Sequence, residues 1–116
     1  MPQTPADTTA SHSTVTVVGR FGSRVEERTL PSGDVITTFT VVVDRARRRG
    51  EAATAVRVDA IPCQALTASV ARRALTLEPG QWVQAEGRLR RRFWRSGAGL
   101  GSAMEVEVSS LSARRG

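Results

Sequence analysis

Apolar and polar residues alternate along most of this chain, in blocks separated by turn-forming residues. Val15–Phe21 (VTVVGRF) is rich in β-branched side chains and closes at Gly22, which predicts a first strand. Val25–Leu30 is a short extension, stopped by Pro31-Ser32-Gly33-Asp34, a sequence that favours a tight turn. Beyond the turn, Val35–Asp44 (VITTFTVVVD) predicts a long strand that forms a hairpin with the segment before it. Ala55–Ile61 alternates, with Val56, Val58 and Ala60 on one face, and Pro62, which lacks an N–H for the ladder, is expected to end it. From Gln64 to Leu77 the period changes: Leu66, Val70 and Ala74 fall at i, i+4 and i+8, the spacing of an amphipathic helix that Pro79-Gly80 stops. Trp82–Phe93 returns to alternation, placing Val83, Ala85, Gly87 and Leu89 on one face and the arginines on the other. Ser96–Ser102, with three glycines, reads as a mobile loop; Met104, Val106 and Val108 then alternate with Glu105, Glu107 and Ser109 as a half-buried last strand. The order is β-β-β-α-β-β: five strands, with one helix between the third and the fourth.

Length and composition restrict this picture rather than change it. The 116 residues, 40 % apolar with ten glycines, suit one folded domain, assigned here to residues 15–112. Residues 1–14 have little to bury and are expected to form a disordered tail, and residues 113–116 a short C-terminal one. No apolar run approaches the roughly 18 residues of a membrane span, and no secretory signal pattern opens the chain. A single cysteine, Cys63, excludes an internal disulfide and fits a reducing, cytoplasmic setting. Cys63 and His12 together fall short of the roughly four ligands of a zinc cage, so no metal or other cofactor is expected.

Charge adds a functional clue. All 17 basic residues are arginine, against 11 acidic ones, for a formal +6. Arg45, Arg47, Arg48 and Arg49 against Glu51 leave +3 in one short segment. Arg88, Arg90, Arg91, Arg92 and Arg95 against Glu86 leave +4 in another. If the fold unites two like-charged blocks, a polyanion is the ligand that compensates their repulsion.

The order of elements is the one expected of the OB-fold, an all-β five-stranded Greek-key barrel whose face and loops bind oligonucleotides. Within it, Val17-Val18-Gly19-Arg20, Pro31-Ser32-Gly33, Phe39–Arg45, Arg57-Val58 and Glu86-Gly87-Arg88-Leu89 resemble, in order and spacing, the bacterial single-stranded DNA-binding protein family over about residues 15–112. The resemblance implies a homo-oligomer, tetramer or dimer, that binds single strands without sequence preference in replication, repair or recombination, associated with the nucleoid. It matches Trp94 to a base-stacking tryptophan, and Arg57, Arg90 and Arg92 to basic positions. Arg45, Arg47, Arg48 and Arg49 match the long basic loop after the second strand. Two further stacking positions are Ala55 and Ile61 here, and a loop tryptophan is replaced by arginine near Arg47 or Arg48. The sequence ends Ala113-Arg114-Arg115-Gly116, without the acidic tail through which the family recruits replication proteins, so the resemblance points to an accessory paralogue.

The candidate DNA-binding set is therefore Arg45, Arg47, Arg48, Arg49, Arg57, Arg88, Arg90, Arg92, Trp94 and Arg95. Arginine can stand in for a lost aromatic, because its planar guanidinium stacks on a base and also pairs with phosphate. Phe93 has the parity of Val83 and is assigned to the core, as are Phe21 and Phe39; Trp82 is assigned to packing on the helix end or on a neighbouring subunit, and Arg72 and Arg73 to the solvent face of the helix. Cys63 reads as a small buried thiol. Two other functions fit less well: an OB-type protein-interaction module, favoured by Ala55 and Ile61, and a structured-RNA binder. An enzyme is disfavoured. Gly97-Ala98-Gly99-Leu100-Gly101 lacks the Lys-Ser/Thr of a phosphate loop, and no catalytic carboxylate pair or Ser-His-Asp set stands out.

Overall fold

The computed structural model describes residues 11–22, 25–45, 50 and 57–115. Six strands and one helix follow one another as β1 (Val15–Phe21), β2 (Glu26–Thr29), β3 (Val35–Asp44), β4 (Val58–Ala65), α1 (Ala68–Thr76), β5 (Trp82–Ser96) and β6 (Gly99–Ala113). β1 pairs with β5, β5 with β6, β6 with β4 in parallel and β4 with β3; β3 returns to β1 through Arg20↔Val42 and Phe21↔Val41. That ring is a closed five-stranded barrel, the OB architecture that the sequence predicts. β2 lies outside the ring as the short arm of a hairpin with β3, so the helix falls between the third and fourth barrel strands.

The barrel interior is filled by the alternating residues of each strand: Val17 and Phe21 from β1, Phe39 and Val41 from β3, Val83 and Ala85 from β5. The Phe21 and Phe39 rings stack with centroids 5.5 Å apart. Ile61, which the resemblance aligns with a stacking position, packs against this core opposite the fully buried Val41. Helix α1 contributes Val70 and Ala74 to the same cluster, and Leu77 follows at its C-cap. The Thr67 hydroxyl caps α1 by accepting the Val70 N–H at 3.2 Å.

Three boundaries differ from the sequence reading. β4 does not stop at Pro62 but continues to Ala65, so the helix begins at Ala68 rather than near Gln64. At Pro62 the strand is paired only with β3, since β6 joins it from Cys63 onward; a missing N–H is tolerated where one side has no partner. Second, the expected loop Ser96–Ser102 is a tight turn at Gly97-Ala98 between two paired strands, with Ser96 opposite Gly99. Gly99 has φ +121°, a conformation that suits glycine and lets the chain reverse in two residues. Third, β1 pairs with β5 only as far as Gly87 and β4 with β6 only from Val106. From Arg88 outward β5 therefore pairs with β6 alone, as a two-stranded arm that leaves the barrel.

The arm explains a fourth difference. Phe93 shares its face with Val83 and Ala85, but out on the arm nothing covers that face, and Phe93 is 60 % exposed. Leu89, Leu100 and Met104 lie on the same face of the arm and are likewise exposed. Trp82 is half-buried, with the Arg20 guanidinium 5.9 Å from its ring centroid. Of the expected N-terminal tail, residues 1–10 lie outside the described residues, whereas the Ser13 hydroxyl accepts the Leu89 N–H at 3.0 Å.

Candidate nucleic-acid interface

Alternation along β5 places Arg88, Arg90, Arg92 and Trp94 on one face of the arm, in a row about 20 Å long at roughly 3.4 Å per residue. The antiparallel register sets Glu107, Glu105, Ala103 and Gly101 opposite them in turn. At the arm's base, Arg88 Nε donates to Glu107 Oε1 at 2.7 Å and an Arg90 terminal nitrogen donates to Glu107 Oε2 at 2.6 Å. Glu107 is only 5 % exposed. Burial by itself pushes its carboxyl up, but the two guanidinium hydrogen bonds and their charge outweigh that and hold it below the usual carboxylate range. The same contacts raise Arg90 further above its ordinary value.

At the middle of the row, Arg92 makes two contacts at once. Its Nε lies 3.7 Å from Glu105 Oε1, and its guanidinium lies 5.5 Å from the centroid of the Trp94 ring. At the outer end the Trp94 indole rests on the backbone of Gly101: a Cβ added there would lie 2.6–2.8 Å from three indole atoms. Trp94 stays 42 % exposed. Arg92 and Glu105 also line an open groove of about 700 Å³, bounded further by Glu26 and Arg28 of β2, Thr38 of β3 and Pro62 of β4.

The remaining candidates spread out from this row. Arg95 has the opposite parity and falls on the other face of the arm, with Arg91 and Phe93. Arg45 pairs with Asp59 at 3.6 Å, and its N–H donates to the Arg57 carbonyl, which brings those two positions together at the end of the β3–β4 ladder. Arg47, Arg48 and Arg49 lie outside the described residues, as does Ala55. Arg73, assigned to solvent, donates from Nε to the Leu111 carbonyl at 3.4 Å. Cys63 is buried: desolvation first, and the Glu105 charge second, push its thiol up to about 12, so it stays neutral.

Glu105 and Glu107 are the residues that sequence reasoning misplaced. Their alternation with Met104, Val106 and Val108 suggested a solvent face, yet both are buried. A usable signal was present, since a two-residue turn at Gly97-Ala98 pairs position 88 with 107 and position 90 with 105. The same register shows that the +4 of the arginine block is partly offset from across the hairpin.

A closed five-stranded barrel carrying a basic, tryptophan-tipped arm beside an open groove is the frame of an oligonucleotide-binding OB protein. A family model described as the single-strand binding protein family matches residues 12–113, and the chain belongs to that family. A Plasmodium falciparum single-strand binding protein, solved in complex with single-stranded DNA, has the same fold: TM-score 0.74 at 20 % identity, covering 91 % of this chain and 97 % of that one. No curated protein sequence matches the chain.

Proposed function

We propose that this protein binds single-stranded DNA, gripping the backbone with Arg88, Arg90 and Arg92 and stacking a base on Trp94. The observation that carries this reading is the single row on β5: three half-exposed guanidinium groups end in an exposed indole on one face, with Arg92 lining the open groove. Membership of the single-strand binding family supports it, and so does the likeness to a barrel solved with single-stranded DNA. Phosphate contacts carry no sequence information and a stacking platform accepts any base, so the main terms do not select a sequence. Arg45 and Arg57 extend the basic surface, with Arg47, Arg48 and Arg49 assigned from the sequence alone. Arg95 reaches DNA only if the strand passes over the tip of the arm.

The protein acts as a binder rather than an enzyme, in the cytoplasm at the nucleoid, in replication, repair or recombination. Residues 15–112 form its binding domain. Among the described residues no helix is long and apolar enough to cross a membrane. The apolar face of the arm (Leu89, Phe93, Leu100 and Met104) supports self-association, since a second copy would cover side chains that this copy leaves exposed.

The test is a fluorescence titration of a Trp82→Phe variant, in which Trp94 is the one remaining tryptophan. Single-stranded oligonucleotides quench it, duplex DNA does so far less, and the affinity falls with salt with a log–log slope of about −0.7 per phosphate neutralised. Binding without quenching moves the strand away from Trp94; no binding at low salt removes the reading.

A further inference from the structure

The groove beside the arm contains a group that the backbone-and-stacking reading does not use. Glu105 is 8 % exposed, with its side chain more than nine-tenths buried, and it lines the groove. One carboxylate oxygen, Oε1, has Arg92 Nε at 3.7 Å, an ion-pair distance beyond that of a good hydrogen bond. The other, Oε2, is buried with no hydrogen-bond partner among the described residues. The neighbouring Cys63 thiol gives its weak donor to the Ile61 carbonyl at 3.6 Å, not to Glu105. A buried carboxylate oxygen with no donor costs free energy, and the fold returns none of it internally. A ligand that brings an N–H to this point recovers it.

Resting on the DNA-binding reading above, we infer that Glu105 Oε2 is a base-reading acceptor: it takes a hydrogen bond from the exocyclic amine of a base lying in the groove, and so favours cytosine over uracil or thymine there. Four observations converge on this. A phosphate is disfavoured at Glu105 itself, because that carboxylate repels an anion; Glu26 and Glu27 add to the repulsion, while Arg28 and Arg92 on the same groove oppose it. A metal ion is not indicated, since no group of three or more potential ligands among the described residues is placed to hold one. Arg92 joins Glu105 to Trp94, so a strand stacked on the indole is guided toward the carboxylate by the same side chain. A carboxylate can only accept, so it pairs with the cytosine N4 amine and is repelled by the O4 carbonyl that uracil and thymine present at that position. The binding is therefore sequence-blind along the arginine row but selective at one subsite.

The experiment compares oligo-deoxycytidine with oligo-deoxyuridine of equal length, in mildly alkaline buffer and at two salt concentrations. The two probes differ at position 4, amine against carbonyl, and at the adjacent N3, which accepts in cytosine and donates in uracil; neither has the thymine methyl. The wild-type protein should bind the cytidine oligomer about tenfold more tightly, the effect expected of one charge-assisted base contact. Glu105→Gln keeps the shape but can donate as well as accept, so the ratio should fall to near one, mainly through tighter binding of the uridine oligomer. Equal wild-type affinities overturn the inference, and this comparison needs no variant to fold. A preference that survives in Glu105→Gln overturns it as well. Failure to bind either oligomer at low salt removes the DNA-binding reading itself, a different result from binding both equally.

Discussion

Removing Glu107 and removing its two arginine partners should have unequal effects, and of opposite pH dependence. The carboxylate is buried, whereas the Arg88 and Arg90 side chains are 60 % and 53 % exposed. In Glu107→Gln the two guanidinium groups lose charge-assisted hydrogen bonds of 2.7 and 2.6 Å but remain hydrated. Each such bond contributes about 1.5–3 kcal/mol. Part of that was spent on desolvating the carboxylate, and solvent screens the exposed ends, so the net cost should be about 1–2 kcal/mol. In the double variant Arg88→Met/Arg90→Met, whose side chains still cover it, the carboxylate stays buried without partners, a situation that costs about 3–5 kcal/mol. The arginine variant should therefore be less stable than the glutamine variant by roughly 2 kcal/mol at neutral pH.

The pH dependence follows from the direction of the shift. In the wild type the Glu107 carboxyl titrates below its ordinary range, so its contribution is present above the unfolded-state value and is lost as the pH falls through the folded one. The stability gap between wild type and Glu107→Gln should close in acid. Without the two arginines only burial acts on Glu107, which pushes the carboxyl up, so the double variant should lose stability as pH rises through that raised value. Urea unfolding of the three proteins across the acidic to neutral range measures both effects. Equal losses for the two variants, or the same sign of pH dependence, would refute the assignment of Glu107 as a buried anion held by exposed cations.

Trp94→Ala should weaken single-strand binding by about 1–3 kcal/mol in the same salt, with little change in the salt slope, since stacking releases few ions. Gly101→Ala should have a similar effect on binding without unfolding the arm. The added methyl would meet the indole rather than backbone, and Gly101 is not among the glycines of positive φ; a blue- or red-shifted Trp94 emission in the free Trp82→Phe/Gly101→Ala protein would record the displacement. Cys63, with its thiol pushed up to about 12, should resist iodoacetamide at neutral pH in the folded protein and react only in urea, as mass spectrometry would show.

Much of this architecture is legible in the sequence because the barrel is built from short-range rules. The turn at Pro31–Asp34, the β-branched run Val35–Asp44 and the Val70–Ala74 spacing each determine an element without reference to the rest. What escapes depends on how far pairing extends. Nothing within Trp82–Phe93 reveals that β1 stops supporting β5 at Gly87, so Phe93 reads as core although the strand has already left the barrel. The three glycines at 97, 99 and 101 suggest a loop by composition, yet they do different things: one lies in the turn, one follows it with φ +121°, and one makes room for an indole. Pro62 is read as a strand end because the missing partner on one side of β4 cannot be inferred from the strand itself.

The charge of the arm shows why a count along the chain is not the same as a field in space. Summed by segment, the arginine block is strongly positive; folded, Glu105 and Glu107 stand across from it, and the row of Arg88, Arg90 and Arg92 carries a formal +1. Long-range attraction of a strand is correspondingly weaker, because steering depends on net charge seen from outside. Contact binding is affected differently. A guanidinium has five N–H donors, and Glu107 engages one from Arg88 and one from Arg90, leaving the others directed to solvent. The carboxylate also holds both side chains in place, so less rotamer freedom is lost when phosphate arrives. Glu107 thus exchanges encounter rate for pre-organisation. The consequence for Glu107→Gln is specific: association should accelerate and the salt slope should steepen by up to about 0.7 per guanidinium released to phosphate, while dissociation should not slow in proportion, because the arginines would then have to be ordered by the DNA itself.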